Sequence, residues 1–436
     1  MDHYIREKQT EQGSVIKECM FKKQIAFFKK ITTTHNHLFI NYLIIAYALV
    51  IPLSAQVSRC IAVSMLVLCL FEGGWKQKIL AIKKEFLIKA LFLLIAVLSL
   101  SLLWTQSENL HIGIRYITRF WYLLPLLVIY LFLEKKMIPY LFSAFLLGMF
   151  ISEVASYCIF FELIHIPKKS PINPAPFMHH TIYSVFLVTA IGILLNKLLN
   201  NSKIAYRVFG GIFFLTMTAN LFINAGRTGQ ILFFLVVSYV VLDNFKLTFR
   251  SIISVILLIC VVPLLAFYYS PNFKNRMVEG YNDLTQLTNY NTSLGARAGL
   301  YLISKEIIQG APLLGVGAGD YLEEKQVIVE KKLPTWDYLR RLHHFHNQYI
   351  EFFIIAGILG FSAYLLILIA LMSLSIREHE IKQIKFIILI TFTLTSLIDQ
   401  TFHTYQGLSL FALFVGTILA TKRIENTPIL NRVAIQ

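Results

Sequence analysis

Three groups of residues in this chain have types and spacings suited to chemistry. The first is His343-His344-Phe345-His346-Asn347. Imidazole is the side chain best placed to accept a proton near neutral pH. His346 is the preferred base, because Asn347 and Gln348 follow it at a helix start, where side chains can be held in place. His343, His344 and Asn347 would line the same site as substrate contacts. His343 and His346 also share an i, i+3 spacing that could bind zinc, but no Cys, Asp or Glu ligand pattern accompanies them, so no metal is expected.

The second group is basic. Arg227 sits at the end of an apolar run, between Gly226 and Thr228-Gly229. A charge there needs a partner or a polar cavity; the plain alternative is an arginine that snorkels to lipid headgroups. Arg297 opens an amphipathic stretch, Arg297 to Gln309, with Leu300, Ile303 and Ile307 on one face. Guanidinium is planar, always charged, and grips phosphate through two parallel bonds. Two such groups on one cavity would suit a pyrophosphate. Lys168, Lys169, Arg115 and Arg119 would attract phosphates or pair with headgroups. His179 and His180 follow the stiff segment Pro167 to Pro176 and would line the same cavity or anchor at the interface.

The third group is the run Pro312-Leu313-Leu314-Gly315-Val316-Gly317-Ala318-Gly319. Gly315 and Gly317 make it a flexible turn whose backbone can come close to another group. Asp399 and His403 border a late turn, where Asp399 could neutralise an arginine; Glu323, Glu324 and Asp337 read as solvated charges. The chain has no phosphate loop, dinucleotide fingerprint or paired-carboxylate site.

The elements that must position these groups are apolar. The 436 residues are 56% hydrophobic, which excludes an ordinary soluble domain. A spanning helix needs ~20 mostly apolar residues. Twelve such runs are read at 38–55, 57–74, 87–104, 117–133, 138–163, 180–198, 206–224, 228–243, 250–269, 347–373, 384–399 and 406–421. The second is short and could be merged or re-entrant. The seventh and eighth are split by a tight turn, Asn224-Ala225-Gly226-Arg227. The expected fold is therefore all-α: a polytopic bundle of about twelve transmembrane helices with one large polar loop between the ninth and tenth. The expected organisation is a basic tail over 1–37, spans one to nine over 38–269, the loop over 270–346, spans ten to twelve over 347–421 and a tail over 422–436.

The formal charge of +16 reads as topology rather than as a nucleic-acid partner. With the N-terminal tail in the cytoplasm, Lys and Arg crowd the inner segments: Arg6, Lys8, Lys22 and Lys23 in the tail, Lys76 to Lys89, Lys135 and Lys136, Lys246 and Arg250, Arg377 to Lys385, then Lys422, Arg423 and Arg432. The polar loop then faces outward, the periplasm in a bacterium. Long loops are exempt from the charge rule, so its own nine Lys and Arg residues do not count. The five cysteines lie in the tail (Cys19) or in apolar runs (Cys60, Cys69, Cys158, Cys260), and no disulfide framework is expected. The N-terminus reads as lacking a cleavable signal. No half-and-half repeat appears, which argues against a two-fold transporter.

Three blocks resemble a known superfamily, the O-antigen ligases and polymerases of bacterial envelopes. They are Asn224 to Gly229; Ser293 to Arg297 with Tyr301 and Ala311 to Gly319; and His346-Asn347-Gln348-Tyr349-Ile350-Glu351 running into Ala356-Gly357-Ile358-Leu359-Gly360. Tyr301 stands where tryptophan is common in the family. The resemblance covers residues 224–373. It implies an enzyme of the inner membrane that works on the periplasmic face, with no cofactor and no metal. It would take glycan from an undecaprenyl pyrophosphate carrier and pass it to a lipid A-core sugar. A polymerase, a protein-glycosylating relative and a transporter of lipid-linked sugar are the alternatives. Arg227 and Arg297 would hold the pyrophosphate, and His346 would act as base with inversion at the anomeric carbon.

Overall fold

The computed structural model describes residues 36–333 and 336–426, with Asp337 by its backbone alone. The basic tail up to residue 35, Cys19, Arg432 and the end of the chain from residue 427 lie outside the described residues.

Every regular element among the described residues is helical. The apolar runs fold as expected, and their ends move by a few residues. Among the described residues, ten helices are long and apolar enough to cross a membrane: Phe86–Trp104, Ser107–Phe132, Lys135–Phe160, His180–Asn200, Ile204–Ile223, Arg227–Phe245, Phe249–Tyr269, Gln348–Ser373, His379–Ile398 and Tyr405–Asn426. This is a multi-pass membrane protein. The expected count of twelve is reduced at the start of the chain. Asn36–Val50 is apolar but too short, and Ala55–Phe71 turns by 119° into Trp75–Lys84, so that pair forms one broken span at most. The cause is local. Gly73 and Gly74 both take positive φ, a conformation that glycine adopts at no steric cost.

Burial sorts the bundle into centre and rim. Tyr405–Asn426 and His180–Asn200 are 83% and 78% buried over their most apolar windows, whereas Phe249–Tyr269 is 11% buried. The last is apolar all round and presents Ile256, Leu264, Leu265 and Tyr268 outward, as a lipid-facing helix must. Close approach at the centre is set by small residues. Gly226 and Gly229 let Arg227–Phe245 come against Ser184, whose hydroxyl accepts from Gly229 N at 3.2 Å. A Cβ on Gly229 would sit 2.4 Å from Ser184 Cβ.

The polar loop is more ordered than its sequence reading. Besides the expected amphipathic helix, it forms Pro271–Thr285, Tyr321–Lys332 and Asp337–Arg341. Pro271–Thr285 starts with Ser270 accepting from Phe273 N and with Pro271 in the first turn, a start signal visible in the sequence. The amphipathic helix runs Ser293–Gly310 under a Thr292 cap. Arg297 therefore sits one turn inside it rather than at its first residue. Leu300, Ile303 and Ile307 are buried, as their spacing predicts.

One joint fixes this loop to the bundle. The Gln348–Ser373 helix breaks at Ala356 and Gly357, with Gly357 at φ +61°. The break frees backbone groups that lipid cannot satisfy. The glycine run supplies the partners: Val316 N donates to Ile354 O (2.8 Å), Gly317 N to Ile355 O (3.0 Å), and Ile358 N to Pro312 O (3.0 Å). Beside it, Ala318 N donates to Ser101 Oγ and Gly319 N to Thr105 Oγ1. Asp320 accepts from Gln106 N and Asn109 Nδ2, both at 2.9 Å. Gly315 and Gly317 thus serve close backbone approach, as read, and Gly315 comes against the broken helix. A Cβ on Gly357 would lie 2.1 Å from Leu313 O. Gly357→Ala should therefore destabilise the protein by ~2 kcal/mol or more. Thermal unfolding of the detergent-solubilised variant should show a midpoint several degrees lower; an unchanged midpoint would remove the joint from this account.

Candidate functional site

Five segments bring chemistry to the same end of the bundle: the loop before His180, the Arg227 turn, the polar loop, the start of Gln348–Ser373, and the turn 399–404. Their placement begins with Asn347. Its Oδ1 caps the helix by accepting from Ile350 N (3.1 Å), and its Nδ2 donates to Leu397 O (3.2 Å). Both ends of its amide are engaged, so Asn347 ties the helix start to the end of the neighbouring helix. Gln348 Oε1 accepts from Phe402 N (3.1 Å), which ties the 399–404 turn to the same helix start.

Those ties set Asp399 against the histidines. Nδ1 of His346 stands 3.6 Å from Asp399 Oδ1, within ion-pair reach but beyond a hydrogen bond. The ring of His344 lies 4.1 Å from that of His346. Between them Phe345 is fully buried, which fixes their separation. His346 takes φ +50°, in the left-handed region that few non-glycine residues adopt. Such a residue is held there by its surroundings, and such strain gathers at functional sites. His343 is exposed and makes no contact with this cluster among the described residues.

The electrostatics separate the two partners. Burial pushes the His344 imidazole down to about 4, helped by the neighbouring His346, so it is neutral at physiological pH. Burial works against the Asp399 carboxylate, yet His346, the backbone N–H of Gln400 and His344 outweigh it and hold its pKa at about 2. Asp399 thus faces imidazole, not arginine as expected. The turn that carries it folds over the start of Gln348–Ser373.

The basic group gathers beside the Arg227 turn. Arg227 ion-pairs with Glu279 (3.1 Å) and Asp283 (3.8 Å), and Arg276 pairs with Glu279 (2.9 Å). Arg297 lies within electrostatic reach of Arg227. Its own Nε is buried without a partner. Three guanidiniums against two carboxylates leave this corner positive, with Arg297 uncommitted. His180, its Nδ1 unpartnered, connects the two halves: the charges of Arg276 and Asp399 both act on it. His179 stacks on His180 with ring centroids 4.0 Å apart. Lys169 donates to Met178 O (2.7 Å) and pins the loop that delivers them, and burial lowers its pKa. Lys168 is exposed at φ +66°, and no ion pair holds it among the described residues.

Several residues were missed by sequence reasoning. Arg276, Glu279 and Asp283 recur at helical spacing on Pro271–Thr285, a signal available once that helix is recognised. Glu351, fully buried, accepts from Tyr116 Oη (2.8 Å) and from Gln400 Nε2. Arg119 donates to His403 Nε2, which leaves the proton of His403 on Nδ1, 3.6 Å from Glu351. Arg119 is therefore part of the site's support. Lys325 is the least expected of them. Its ammonium is buried and donates to the carbonyls of Leu339 (2.9 Å), Arg340 (3.2 Å) and Leu342, and so closes the segment that leads into His343. Burial pushes its pKa down to about 8. Nothing in one sequence marks a lysine as a latch for backbone fourteen or more residues away. A cavity of about 350 Å³ lies at the far end of the bundle, among Lys135, Arg377 and Glu378, and touches none of these groups.

Residues 212–365 match the family described as O-antigen ligase. This stretch belongs to the O-antigen ligase superfamily. It contains the Arg227 turn, Arg297, the glycine run, the histidines and the broken helix. An O-antigen ligase of Escherichia coli K12 is 28% identical over 131 residues, 29% of this chain and 31% of that protein. An uncharacterized protein of Haemophilus influenzae is 30% identical over 125 residues, 28% of this chain and 31% of its own length. The matched stretch thus spans under a third of the length of either relative.

Two outcomes test this geometry. Lys325→Met leaves one buried and two partly buried carbonyls without this donor, and should cost roughly 1–3 kcal/mol and make the His343–His346 segment more accessible to proteases; a protease pattern like wild type would show that the latch is dispensable. A carboxyl with a lowered pKa stabilises the fold above its ordinary value of 3.8 and loses that contribution as pH falls towards about 2. The shift corresponds to on the order of 2 kcal/mol. The gap in thermal midpoint between wild type and Asp399→Asn should therefore narrow as pH drops from about 4 to about 2; a constant gap would contradict the assignment.

Proposed function

We propose that this protein is an O-antigen ligase of the bacterial inner membrane, with its site facing the periplasm. It transfers glycan from undecaprenyl pyrophosphate to a sugar hydroxyl of the lipid A core. The observation that carries the reading is that the region matched by the O-antigen ligase family holds both Arg297, whose buried Nε has no partner among the described residues, and a strained His346. Pyrophosphate is already a good leaving group. The enzyme needs only to stabilise the departing charge and deprotonate the acceptor.

Arg297 meets the leaving diphosphate first, because no hydrogen bond or ion pair holds its guanidinium among the described residues. Arg227 joins by exchanging Glu279 and Asp283 for phosphate oxygens, which raises the cost of closing on a wrong ligand. Arg276 extends the positive rim, with Lys168 as an approach contact, and His180, which burial and its cationic neighbours keep neutral, lines it as a hydrogen-bonding group. His346 takes the acceptor proton, and ionised Asp399 stabilises the imidazolium that forms, as an acid partner does in a nucleophile–base pair. Direct attack by the hydroxyl inverts the anomeric centre and needs no metal.

The Arg297→Ala and His346→Ala variants should each lose transfer by ~100-fold or more while still inserting in the membrane. Lipopolysaccharide ladders in a deletion strain read this out. Normal ladders from both variants would sink the enzymatic assignment. The deletion itself separates the related readings. Loss of a ligase leaves long polymer on the carrier and bare core on lipid A, loss of a polymerase leaves core capped with one unit, and loss of a transporter strands substrate in the inner leaflet.

A further inference from the structure

His344, His346 and Asp399 each offer one ligand atom, and the three atoms lie within 4.8 Å of one another. The Nδ1 atoms of both imidazoles are buried and have no hydrogen-bond partner among the described residues. A buried polar atom without a partner is costly unless another group fills its place. The transfer chemistry uses one imidazole only, so it leaves the second nitrogen unexplained. Two imidazoles and a carboxylate form the donor set of an open zinc site, with three protein ligands and a fourth position for water. The support is also present: buried Phe345 fixes the two rings, and Gln400 N donates to Asp399 Oδ1 at 2.8 Å.

The pair that the sequence offered was His343 with His346. The structure exchanges exposed His343 for His344 and adds Asp399 from a segment distant in the chain. An ion that prefers oxygen donors, magnesium or calcium, finds too few of them here; one that accepts nitrogen fits.

We propose that His344, His346 and Asp399 bind a single zinc-class divalent ion, and that this ion silences the transfer site by occupying the lone pair of His346. Three dative bonds form and no electrons are transferred. A neutral imidazole has one free lone pair; with the ion on Nδ1 of His346 the ring proton sits on Nε2, which then cannot accept another, so binding the ion and accepting the hydroxyl proton exclude each other. The silencing clause rests on the reading of His346 as base; the binding clause does not.

The test uses the full-length protein in detergent, purified through a histidine-free tag. Zinc is titrated against a fluorescent chelator. One equivalent should bind to wild type, and the affinity should fall about tenfold or more in His344→Asn and in Asp399→Asn. His111→Asn, at an exposed histidine outside the cluster, should bind as wild type does. Cobalt(II) gives a readout on wild type alone: visible absorption from nitrogen and carboxylate ligation is expected, and a featureless spectrum overturns the site whatever the variants do. No bound zinc, or binding undiminished in both variants, also overturns it. In transfer assays zinc should inhibit, magnesium should not, and chelator should restore activity. Zinc bound at the triad with transfer undiminished would leave the metal site standing and remove His346 as the base.

Discussion

The structure depends on three backbone hydrogen bonds at a broken helix. In lipid a helix cannot stop and restart unless other groups satisfy the amides and carbonyls it frees. Here Val316, Gly317 and Pro312 do so for Ile354, Ile355 and Ile358. The joint explains why the glycine run and the Ala356–Gly360 segment occur together: they are two halves of one contact. It also fixes where the polar loop sits, and with it the helix that carries Arg297 and the segment that carries the histidines. A soluble protein could hydrate such a break. This one must close it with its own chain.

The site that results has two electrostatic halves. One is a group of guanidiniums only partly neutralised by Glu279 and Asp283. The other pairs an ionised Asp399 with half-buried imidazoles. Each half is held by atoms that do no chemistry: Asn347 and Gln348 fix the late turn, Lys325 closes the approach to His343, and Arg119 orients His403. Removing such a group would shift the site without altering its list of functional side chains.

Much of this was legible in the sequence because the signals were periodic or compositional. Apolar runs gave the helices almost to their ends, and the spacing of Leu300, Ile303 and Ile307 gave the buried face of Ser293–Gly310. Arg227 and His346 stood out as polar residue types at the edges of apolar runs, and Arg297 as a guanidinium opening an amphipathic stretch in the polar loop. What stayed hidden depends on contacts between distant parts of the chain. Asp399 meets His346 only because Gln348 and Asn347 hold a turn some fifty residues later in the chain. Arg276 required a helix that a polar composition disguised. The span count fell short of twelve where Gly73 and Gly74 bend the chain, since hydropathy registers apolar length and not direction.

The lipid-facing Phe249–Tyr269 helix leads directly into the polar loop, yet it hardly touches its neighbours. The corner after it is what is anchored: Ser270 donates to Phe222 O, and Asn272 to Pro171 O and Ile223 O. That helix is therefore a tether and not a strut. Its sequence is free to drift among apolar residues so long as its length is kept, and the tolerance of the chain to substitution should change abruptly at residue 270.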